Sequence, residues 1–416
     1  MKYDDFNTLL VHSTGSRTRA IAPAIVPSAA FGYESPQEAE AIFSGELPHP
    51  LYARVGSPTV TQLENTVARI EGGIGAIATS SGMGALSMAL TAFLGVGDEV
   101  LCIGGFFGGT YTLVNETMRR FGIHSHFCAL DDFSQIEKRL QGTVKMVLIE
   151  SVGNPSLQLP DLPRIIQLCN QYNTLLLVDN TVTPLTTRPL EMGADIVVHS
   201  STKAMSGHSA ALGGVAVLRA TKTENEKLRD PKYKDLHPLL KKMGKKSMIA
   251  ICKKRALRDI GMSANAFAAF LTMLGLETLA LRLERITQSV VTVAQALHEQ
   301  LPPDIQVLHP SLASHPDHQR YLSDYTEGCG SILTLECGSR ERAFALLEHL
   351  ELVIQTANIG DNRTLALHMA STIYREFDPD TRIFLGVTEG LVRVSVGLEN
   401  PQAIIDDFVK AATASA

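Results

Sequence analysis

The chain has 416 residues, of which 45% are hydrophobic, and a formal net charge of −6 at pH 7. This length suggests two or three structural units and is ample for a large core. The negative charge gives no indication of a nucleic-acid partner. No apolar run approaches the ~18 residues of a membrane-spanning helix, and Met1–Asp5 lacks the apolar core of a signal peptide. We therefore expect a soluble cytoplasmic protein with neither a nucleic-acid nor a membrane partner.

The cysteines and the basic residues do not indicate a special site. No two cysteines form a CxxC pair, so no metal site is predicted, and their apolar neighbours favour buried thiols. The six are Cys102, Cys128, Cys169, Cys252, Cys329 and Cys337. A basic stretch from Lys222 to Arg255 also contains acidic residues, and we interpret it as a solvated helical surface.

Residues 1–58 are rich in Ser, Gly and Pro and show little periodicity, so we interpret them as an irregular arm. A helical period begins at Thr59 and ends at Gly72; its apolar face consists of Val60, Leu63, Val67 and Ile70. Short uncharged apolar runs then alternate with helical patterns, which is typical of a mostly parallel sheet covered by helices. The runs are Ala76–Ala78, Val100–Ile103, Met146–Ile149, Leu175–Val178, Ile196–Val198 and Val215–Leu218.

The pattern changes after residue 257. A long helical tract covers Ala264–Leu301, and shorter strand and helix patterns follow it, which predicts a smaller α+β domain. These patterns are a strand at Ile332–Leu335, a helix at Arg340–Leu350, a strand at Leu391–Val396 and a helix over about 401–412. The predicted organisation is an arm at 1–58, a large domain at 59–256 and a C-terminal domain at 257–416.

A lysine follows one of the buried strands. After Ile196–Val198 the chain continues through Ser200 and Thr202 to Lys203. Ligands bind at the carboxyl ends of strands in open α/β sheets, and a partly desolvated lysine there can form an imine. The two hydroxyls could donate hydrogen bonds to a phosphate. Taken alone this is weak evidence, because a lysine after a strand is more often a surface residue.

Two other strand ends carry residues that suit a phosphorylated cofactor. Asp179 follows Leu175–Val178, where an acid can pair with a pyridinium nitrogen and keep the ring protonated; a turn cap is the alternative. Ser80–Ala85 links a strand to a helix, and its glycines would let an anion approach the free N–H groups of the helix. The segment lacks the Walker spacing, and such Gly-rich turns are also common without a ligand.

Six segments in this order resemble one family. They are Tyr52–Thr59, Ser81-Gly82-Met83, Asn154-Pro155, Val178–Thr181, Ser200–Lys203 and Arg393–Glu399. Together they are similar to the Cys/Met-metabolism enzymes that depend on pyridoxal 5′-phosphate (PLP). That family includes cystathionine γ-synthase, cystathionine β- and γ-lyases, methionine γ-lyase and O-acylhomoserine sulfhydrylases. The resemblance covers nearly the whole chain. It implies the α/β architecture of PLP fold type I (aspartate-aminotransferase-like), in which the large domain binds PLP and a smaller α+β domain follows.

The resemblance also implies roles for the matching residues. Lys203 would form a Schiff base with PLP and carry protons between Cα and Cγ of the substrate, and Asp179 would hold the pyridinium nitrogen. Arg393 would form a bidentate pair with the substrate carboxylate, with Asn358 as a second substrate contact. The other cofactor contacts would come from Ser81, Gly82, Met83, Asn154, Thr181, Ser200 and Thr202.

The arm is implied to act in a neighbouring subunit. Tyr52 and Arg54 would complete the phosphate site of that subunit, so the active unit would be a homo-oligomer with shared sites, as in a dimer of dimers. No metal is implied.

Two departures from the family pattern bear on the substrate. Phe107 takes the place of a Tyr that is usually stacked on the cofactor ring; it can still stack, but it has no hydroxyl for acid–base help at the leaving group. A displaced hydroxyl from Tyr111 is the alternative. The segment Ala357–Asp361 resembles the sulfhydrylase branch, whereas Met369 and Tyr374 stand where the family commonly has Pro and His.

The function expected from this resemblance is γ-replacement on an O-acylated homoserine by sulfide or a thiol. The first alternative is a lyase that acts on methionine, cystathionine or cysteine, and that would release ammonia and a 2-oxo acid. The second is a non-catalytic PLP-binding regulatory protein. Such a protein normally carries an additional binding segment and has no need of Lys203.

Overall fold

The computed structural model describes residues 3–13, 21–220 and 225–415. Within these ranges the strands form a seven-stranded sheet and a five-stranded sheet. The strands of the large sheet are β1 (Gly73–Thr79), β2 (Glu99–Ile103), β3 (His124–Cys128), β4 (Val144–Glu150), β5 (Leu175–Asp179), β6 (Ile196–His199) and β7 (Gly214–Arg219). Those of the small sheet are β8 (Gln306–Leu308), β9 (Ile332–Glu336), β10 (Ile354–Gln355), β11 (Leu365–His368) and β12 (Leu391–Ser395).

The helices cover both sheets and the connections between them. They are α1 (Tyr3–Ser13), α2 (Pro36–Ser44), α3 (Pro58–Glu71), α4 (Gly82–Phe93), α5 (Gly108–Thr112), α6 (Met118–Arg120), α7 (Phe133–Leu140), α8 (Leu162–Gln171), α9 (Pro189–Met192), α10 (His237–Met243), α11 (Ser247–Cys252), α12 (Arg258–Ile260), α13 (Ala266–Glu277), α14 (Leu279–Gln300), α15 (His318–Asp324), α16 (Arg340–Glu348), α17 (Pro379–Phe384) and α18 (Pro401–Ala414). Short π-helical or 3₁₀ turns lie at Leu113–Thr117, Glu226–Arg229, Pro231–Leu236, Gly244–Lys246 and Lys253–Leu257.

The large sheet has the order β1-β7-β6-β5-β4-β2-β3. Strands β2 to β6 pair in parallel, whereas β7 is antiparallel to both β1 and β6. The prediction of an α/β fold with a mostly parallel sheet is therefore confirmed. Because β1 and the parallel strands share one direction, the segments that follow them meet at one edge of the sheet, where ligands bind in folds of this kind.

Helix α3 illustrates how local sequence determines an element next to this edge. Its N-terminus is capped by Ser57, whose side chain accepts a hydrogen bond from the N–H of Val60, and Pro58 occupies the first turn. Gly72 ends the helix with φ of 70°. The predicted apolar face is buried against the sheet.

The interpretation of residues 1–58 as irregular is wrong for two segments, because α1 and α2 are helices. Phe6 and Leu10, four residues apart on α1, are buried in the same apolar cluster as Val67 and Met273. This spacing was a helical signal within a segment of otherwise polar composition. Residues 1–2 and 14–20 of the predicted arm lie outside the described residues.

The small sheet has the order β10-β11-β12-β9-β8 and packs against α14, α16 and α18. The helical tract predicted at Ala264–Leu301 is two helices, α13 and α14, with an angle of 61° between them. No single helix in the described ranges is long and apolar enough to cross a membrane, although this bent pair passes the same test when taken together.

The basic stretch is largely the solvated helical surface that the sequence predicted, because Lys241, Lys242, Lys245, Lys246 and Lys254 are exposed. Lys227 is buried, and its Nζ lies 2.6 Å from Oδ2 of Asp195. Lys222 lies outside the described residues. All six cysteines are buried and free of disulfide bonds, as their apolar neighbours predicted. Burial raises the pKa of the Cys169, Cys252, Cys329 and Cys337 thiols to about 12.

Candidate active site

A cavity of about 230 Å³, partly open to solvent, lies at the carboxyl edge of the large sheet. It brings together most of the residues that the sequence predicted. They are Ser81, Gly82, Met83, Phe107, Asn154, Asp179, Thr181, Ser200, Thr202, Lys203 and Arg393. The rest of its lining comes from Leu86, Thr110, Glu150, Val152, Val182, Leu212, Ala357 and Ile359.

Lys203 lies in the turns that follow β6, with its side chain in the cavity. Its Nζ donates a hydrogen bond to Oδ1 of Asn358 at 2.6 Å. Burial, followed by the positive charge of Arg393, lowers the pKa of Lys203 to about 8. An amine with this pKa has a substantial neutral fraction near physiological pH, as a nucleophile or a base requires.

Asn358 reaches Lys203 because its segment packs tightly on the lysine's own turn. Gly360 has φ of +67°, and a Cβ there would stand 2.7 Å from the backbone nitrogen of Ala204. The sequence predicted a substrate contact for Asn358; in the structure its side chain contacts Lys203 and its backbone carbonyl accepts from Arg393 at 3.3 Å.

Two carboxylates lie side by side at the edge of the sheet. Glu150 and Asp179 are register partners at the ends of β4 and β5, and both line the cavity. Burial raises the pKa of both, and the charge of Asp179 adds to the rise for Glu150. The backbone and side chain of Thr181 oppose the rise for Asp179 by hydrogen bonding. A cationic ring nitrogen would suit this concentration of negative charge.

The sequence analysis missed Glu150, although an acid after a buried strand was the signal that identified Asp179. The two oxygens of Glu150 accept hydrogen bonds from the backbone N–H groups of Phe107 at 2.8 Å and Asn154 at 3.2 Å. Glu150 thus joins the segment after β2 to the segment after β4.

An anion cradle lies where α4 begins. The side chain of Ser81 accepts from the N–H of Gly84 at 3.0 Å, and the first N–H groups of a helix have no partner within it. A Cβ on Gly82 would stand 2.6 Å from Cβ of Ser200, so only glycine lets the two segments approach. Thr202 lines the cavity, but its hydroxyl donates to the carbonyl of Gly213 at 3.1 Å.

Arg393 provides a buried cation on β12. It is 2% exposed, donates to Oδ1 of Asn154 at 3.1 Å, and forms no ion pair with a carboxylate among the described residues. Burial lowers the pKa of its guanidinium to about 10. A buried guanidinium with no anionic partner is suited to binding a carboxylate from a ligand.

Phe107 and Tyr374 are joined through the backbone. Phe107 lines the cavity, and its ring packs on Gly109, where a Cβ would meet it at 2.7 Å. The buried Tyr374 hydroxyl accepts from the N–H of Gly108 at 3.2 Å and lies within hydrogen-bond distance of the carbonyls of Phe106 and Asn154. Tyr111 packs instead on Phe127 and Phe377, so its hydroxyl is not part of the cavity lining.

Tyr52 and Arg54 are not brought to this cavity. Both are exposed, the Arg54 guanidinium lies 5.7 Å from the Tyr52 ring, and it donates to the carbonyl of Arg258. The remaining predicted residues fit PLP: the cradle at α4 for a phosphate, the carboxylate of Asp179 for a ring nitrogen, the Phe107 ring for stacking and Lys203 for covalent attachment.

The comparisons with known proteins agree with this geometry. The family model of Cys/Met metabolism PLP-dependent enzymes matches residues 7–413. The chain is 34% identical to a homocysteine synthase of Schizosaccharomyces pombe, with 98% of each chain covered. It is 33% identical to O-acetyl-L-homoserine sulfhydrylase 1 of Thermus thermophilus, over 95% of this chain and 96% of the relative.

Solved structures share the whole fold. A Campylobacter jejuni protein that carries a pyridoxyl-lysine monophosphate group superposes with a TM-score of 0.88 at 30% identity, over 98% of this chain and 99% of that one. A cystathionine γ-synthase of Xanthomonas oryzae superposes with a TM-score of 0.84 at 28% identity, over 99% and 98%. The chain therefore belongs to the Cys/Met metabolism family of PLP-dependent enzymes.

Proposed function

We propose that the protein catalyses γ-replacement on an O-acylated homoserine, with sulfide or a thiol as the nucleophile. The observation that carries the proposal is the pair formed by Lys203 and Arg393 in one cavity. An amine of lowered pKa can take a proton from Cα of an amino acid. A buried guanidinium that has no carboxylate partner among the described residues suits the α-carboxylate. The homocysteine synthase and the O-acetyl-L-homoserine sulfhydrylase among the relatives support the choice of reaction.

In this proposal the cofactor would be held by groups on five segments. Ser81, Gly82, Met83, Ser200 and Thr202 would hold the phosphate, and Asp179, oriented by Thr181, would pair with the ring nitrogen. Phe107 would offer its ring for stacking, and Asn154 would contact the phenolic oxygen. When bound, PLP supplies an electron sink for negative charge that develops at Cα of the substrate.

The protein's own residues then bind the substrate and move protons. Arg393 holds the α-carboxylate. Lys203 Nζ takes protons from Cα and Cβ and returns them to these carbons after the carboxylate has left Cγ and the sulfur nucleophile has bonded there. Phe107 offers no hydroxyl to a leaving group. This favours an acyloxy group, which leaves as a carboxylate and needs little protonation, over a thiolate.

A shared site and an oligomer are part of the proposal. Tyr52 and Arg54 are exposed and lie outside their own cavity, which suits a role at the phosphate of a neighbouring subunit. We propose a homotetramer built as a dimer of dimers. Its cytoplasmic location stays a prediction of the sequence.

The experiment that tests the reaction is a substrate panel with product identification by mass spectrometry. The purified protein is incubated with O-acetylhomoserine, O-succinylhomoserine, methionine, cystathionine or cysteine, each with and without sulfide. Homocysteine from an ester and sulfide is the expected product, and a Lys203→Ala control should give none. Ammonia and a 2-oxo acid from methionine, cystathionine or cysteine, with no replacement product, would overturn the proposal in favour of a C–S lyase.

A further inference from the structure

Ser209 adopts a backbone conformation that favours glycine. Its φ is +53°, and the described residues with positive φ other than glycine are Leu157, Asn173, Leu185 and Ser209. A Cβ makes this conformation unfavourable, so the serine at this position carries a backbone cost. Glycine would remove that cost, but it would also remove the hydroxyl.

The Ser209 hydroxyl connects a buried carboxylate to the side chain that contacts Lys203. It donates to Oδ2 of Asp361, which is 1% exposed. It also accepts a hydrogen bond from Nδ2 of Asn358 at 3.1 Å. Asp361 is itself held, since its other oxygen accepts from the N–H of Arg363 at 3.0 Å.

The chemistry of these groups fixes which atom donates and which accepts in each hydrogen bond of this connection. A hydroxyl has one hydrogen, and a carboxylate can only accept, so the hydrogen of Ser209 is used by Asp361. Ser209 must then accept from Asn358, which places the amide nitrogen of Asn358 on the serine side. The amide oxygen therefore faces Lys203 Nζ, where it accepts at 2.6 Å.

We propose that Ser209 is a positioning residue for Lys203, acting through Asn358. By fixing the amide with its oxygen towards Nζ, Ser209 anchors one N–H of the lysine and leaves the rest of the amine directed into the cavity. The catalytic consequence rests on the function proposed above for Lys203, whereas the effect on the amine itself does not.

The first measurement is made on the apoenzyme. Lys203 is labelled by reductive methylation across a pH series, and the extent is read by peptide mass spectrometry. In Ser209→Ala and Ser209→Gly the pH of half-labelling should fall by roughly 0.3–1 unit, because an ammonium that loses a fixed acceptor is deprotonated more easily. Both variants lose the hydroxyl, so both should show the labelling shift. Only Ser209→Gly also removes the backbone cost of the positive φ, so the two variants should differ in melting temperature.

Controls separate this role from a purely structural one. Asn173→Gly removes a positive-φ side chain elsewhere and should leave the labelling of Lys203 unchanged. Asn358→Ala should lower the half-labelling pH, and adding Ser209→Ala should lower it no further, since both act along one path. The proposal would be overturned if Ser209→Ala left the half-labelling pH of Lys203 unchanged, or if the shifts of the two single variants added in the double variant.

The second measurement is steady-state kinetics of the PLP-loaded enzyme. Both Ser209 variants should lose roughly 2- to 10-fold in kcat, the factor for one hydrogen bond, with little change in KM. If the labelling shift is present but no ester is turned over, the function proposed above fails while the positioning of Lys203 stands. If esters are turned over but neither labelling nor kcat changes in the variants, the positioning role fails.

Discussion

The hydroxyl of Tyr374 lies 3.0 Å from the backbone carbonyl of Asn154 and also accepts from the N–H of Gly108. It thereby joins the segment that carries Phe107 to the segment that carries Asn154, the partner of Arg393. Glu150 joins the same two segments from the other side. These contacts fix the position of Phe107, whose ring would face the cofactor, relative to Asn154, whose side chain accepts from Arg393.

Tyr374→Phe should loosen this connection. The ring remains, but the buried N–H of Gly108 loses its acceptor, which should cost about 1–3 kcal/mol in free energy of unfolding and weaken PLP binding. The measurements are urea denaturation of the apoenzyme and PLP titration by absorbance. Tyr111→Phe is the matched control, because Tyr111 packs on aromatic rings nearby and should tolerate the change. Equal effects of the two variants would contradict the role of the hydroxyl.

Lys203→Met should stabilise the apoenzyme at pH 7. The pKa of Lys203 is about 8 in the folded chain and 10.5 for an unperturbed lysine. Between these values the unfolded state binds more protons, so the stability of the wild type rises with pH. The variant lacks this dependence. The free energy of unfolding of Lys203→Met should exceed that of the wild type by roughly 1–3 kcal/mol below pH 8. This difference should shrink towards pH 10.5. Denaturation at several pH values tests this, with the exposed Lys410→Met as control; a pH-independent difference would contradict it.

Phe107→Tyr should raise γ-elimination from methionine more than it raises turnover of an O-acylhomoserine. General acid–base help is worth ~10²–10⁴-fold, and a thiolate leaving group needs it more than a carboxylate does. The measurement is kcat for both substrates in the wild type and the variant, with PLP occupancy checked by absorbance. If kcat changed equally for the two substrates, or fell for both, a hydroxyl at position 107 would not be assisting the leaving group.

O-Acetylhomoserine should be a better substrate than O-succinylhomoserine. Among the described residues that line the cavity, the cations are Lys203 and Arg393, and both are assigned to the amino-acid end of the substrate. The second carboxylate of a succinyl group would lack a cationic partner, and Glu150 and Asp179 add negative charge. We expect kcat/KM to differ by about tenfold or more, the equivalent of ~1.4 kcal/mol for a poorly paired charge. Comparable values would point to a cation from outside this chain's cavity.

Mixed oligomers test the shared site. Arg54→Ala and Lys203→Ala homo-oligomers should each be nearly inactive. Co-refolding the two should restore part of the activity, since some sites would combine a wild-type Lys203 with a wild-type Arg54 from another subunit. Wild-type protein refolded in parallel is the control for recovery. Mixtures that stay inactive while this control recovers would mean that Arg54 does not act across subunits.

Buried strands and their carboxyl ends could be predicted from the sequence, because a strand that is buried on both faces of a sheet requires a run of apolar residues. Ile196–Val198 and Leu175–Val178 are examples, and the residues after them, Lys203 and Asp179, do lie in one cavity. Edge strand β3 was missed because its half-exposed residues, beginning with His124, show no such run. The break between α13 and α14 was missed because both helices are apolar enough to continue through Thr278.

Contacts between distant segments were beyond the reach of sequence patterns. The distance from Lys203 to Asn358 depends on how the small sheet docks on the large one, and the close approach at Gly360 became visible only in three dimensions. Ser209 gave no signal at all, because its strained backbone and its two hydrogen bonds are properties of the folded chain.

The burial of all six cysteines has a chemical consequence for an enzyme proposed to handle sulfide. With thiol pKa values raised to about 12 at Cys169, Cys252, Cys329 and Cys337, almost none of this sulfur is thiolate near neutral pH. These four thiols then neither compete with sulfide for the electrophilic carbon nor exchange readily with disulfides and persulfides in the medium. Sulfide or a thiol substrate can therefore react at the activated carbon without competition from these buried thiols.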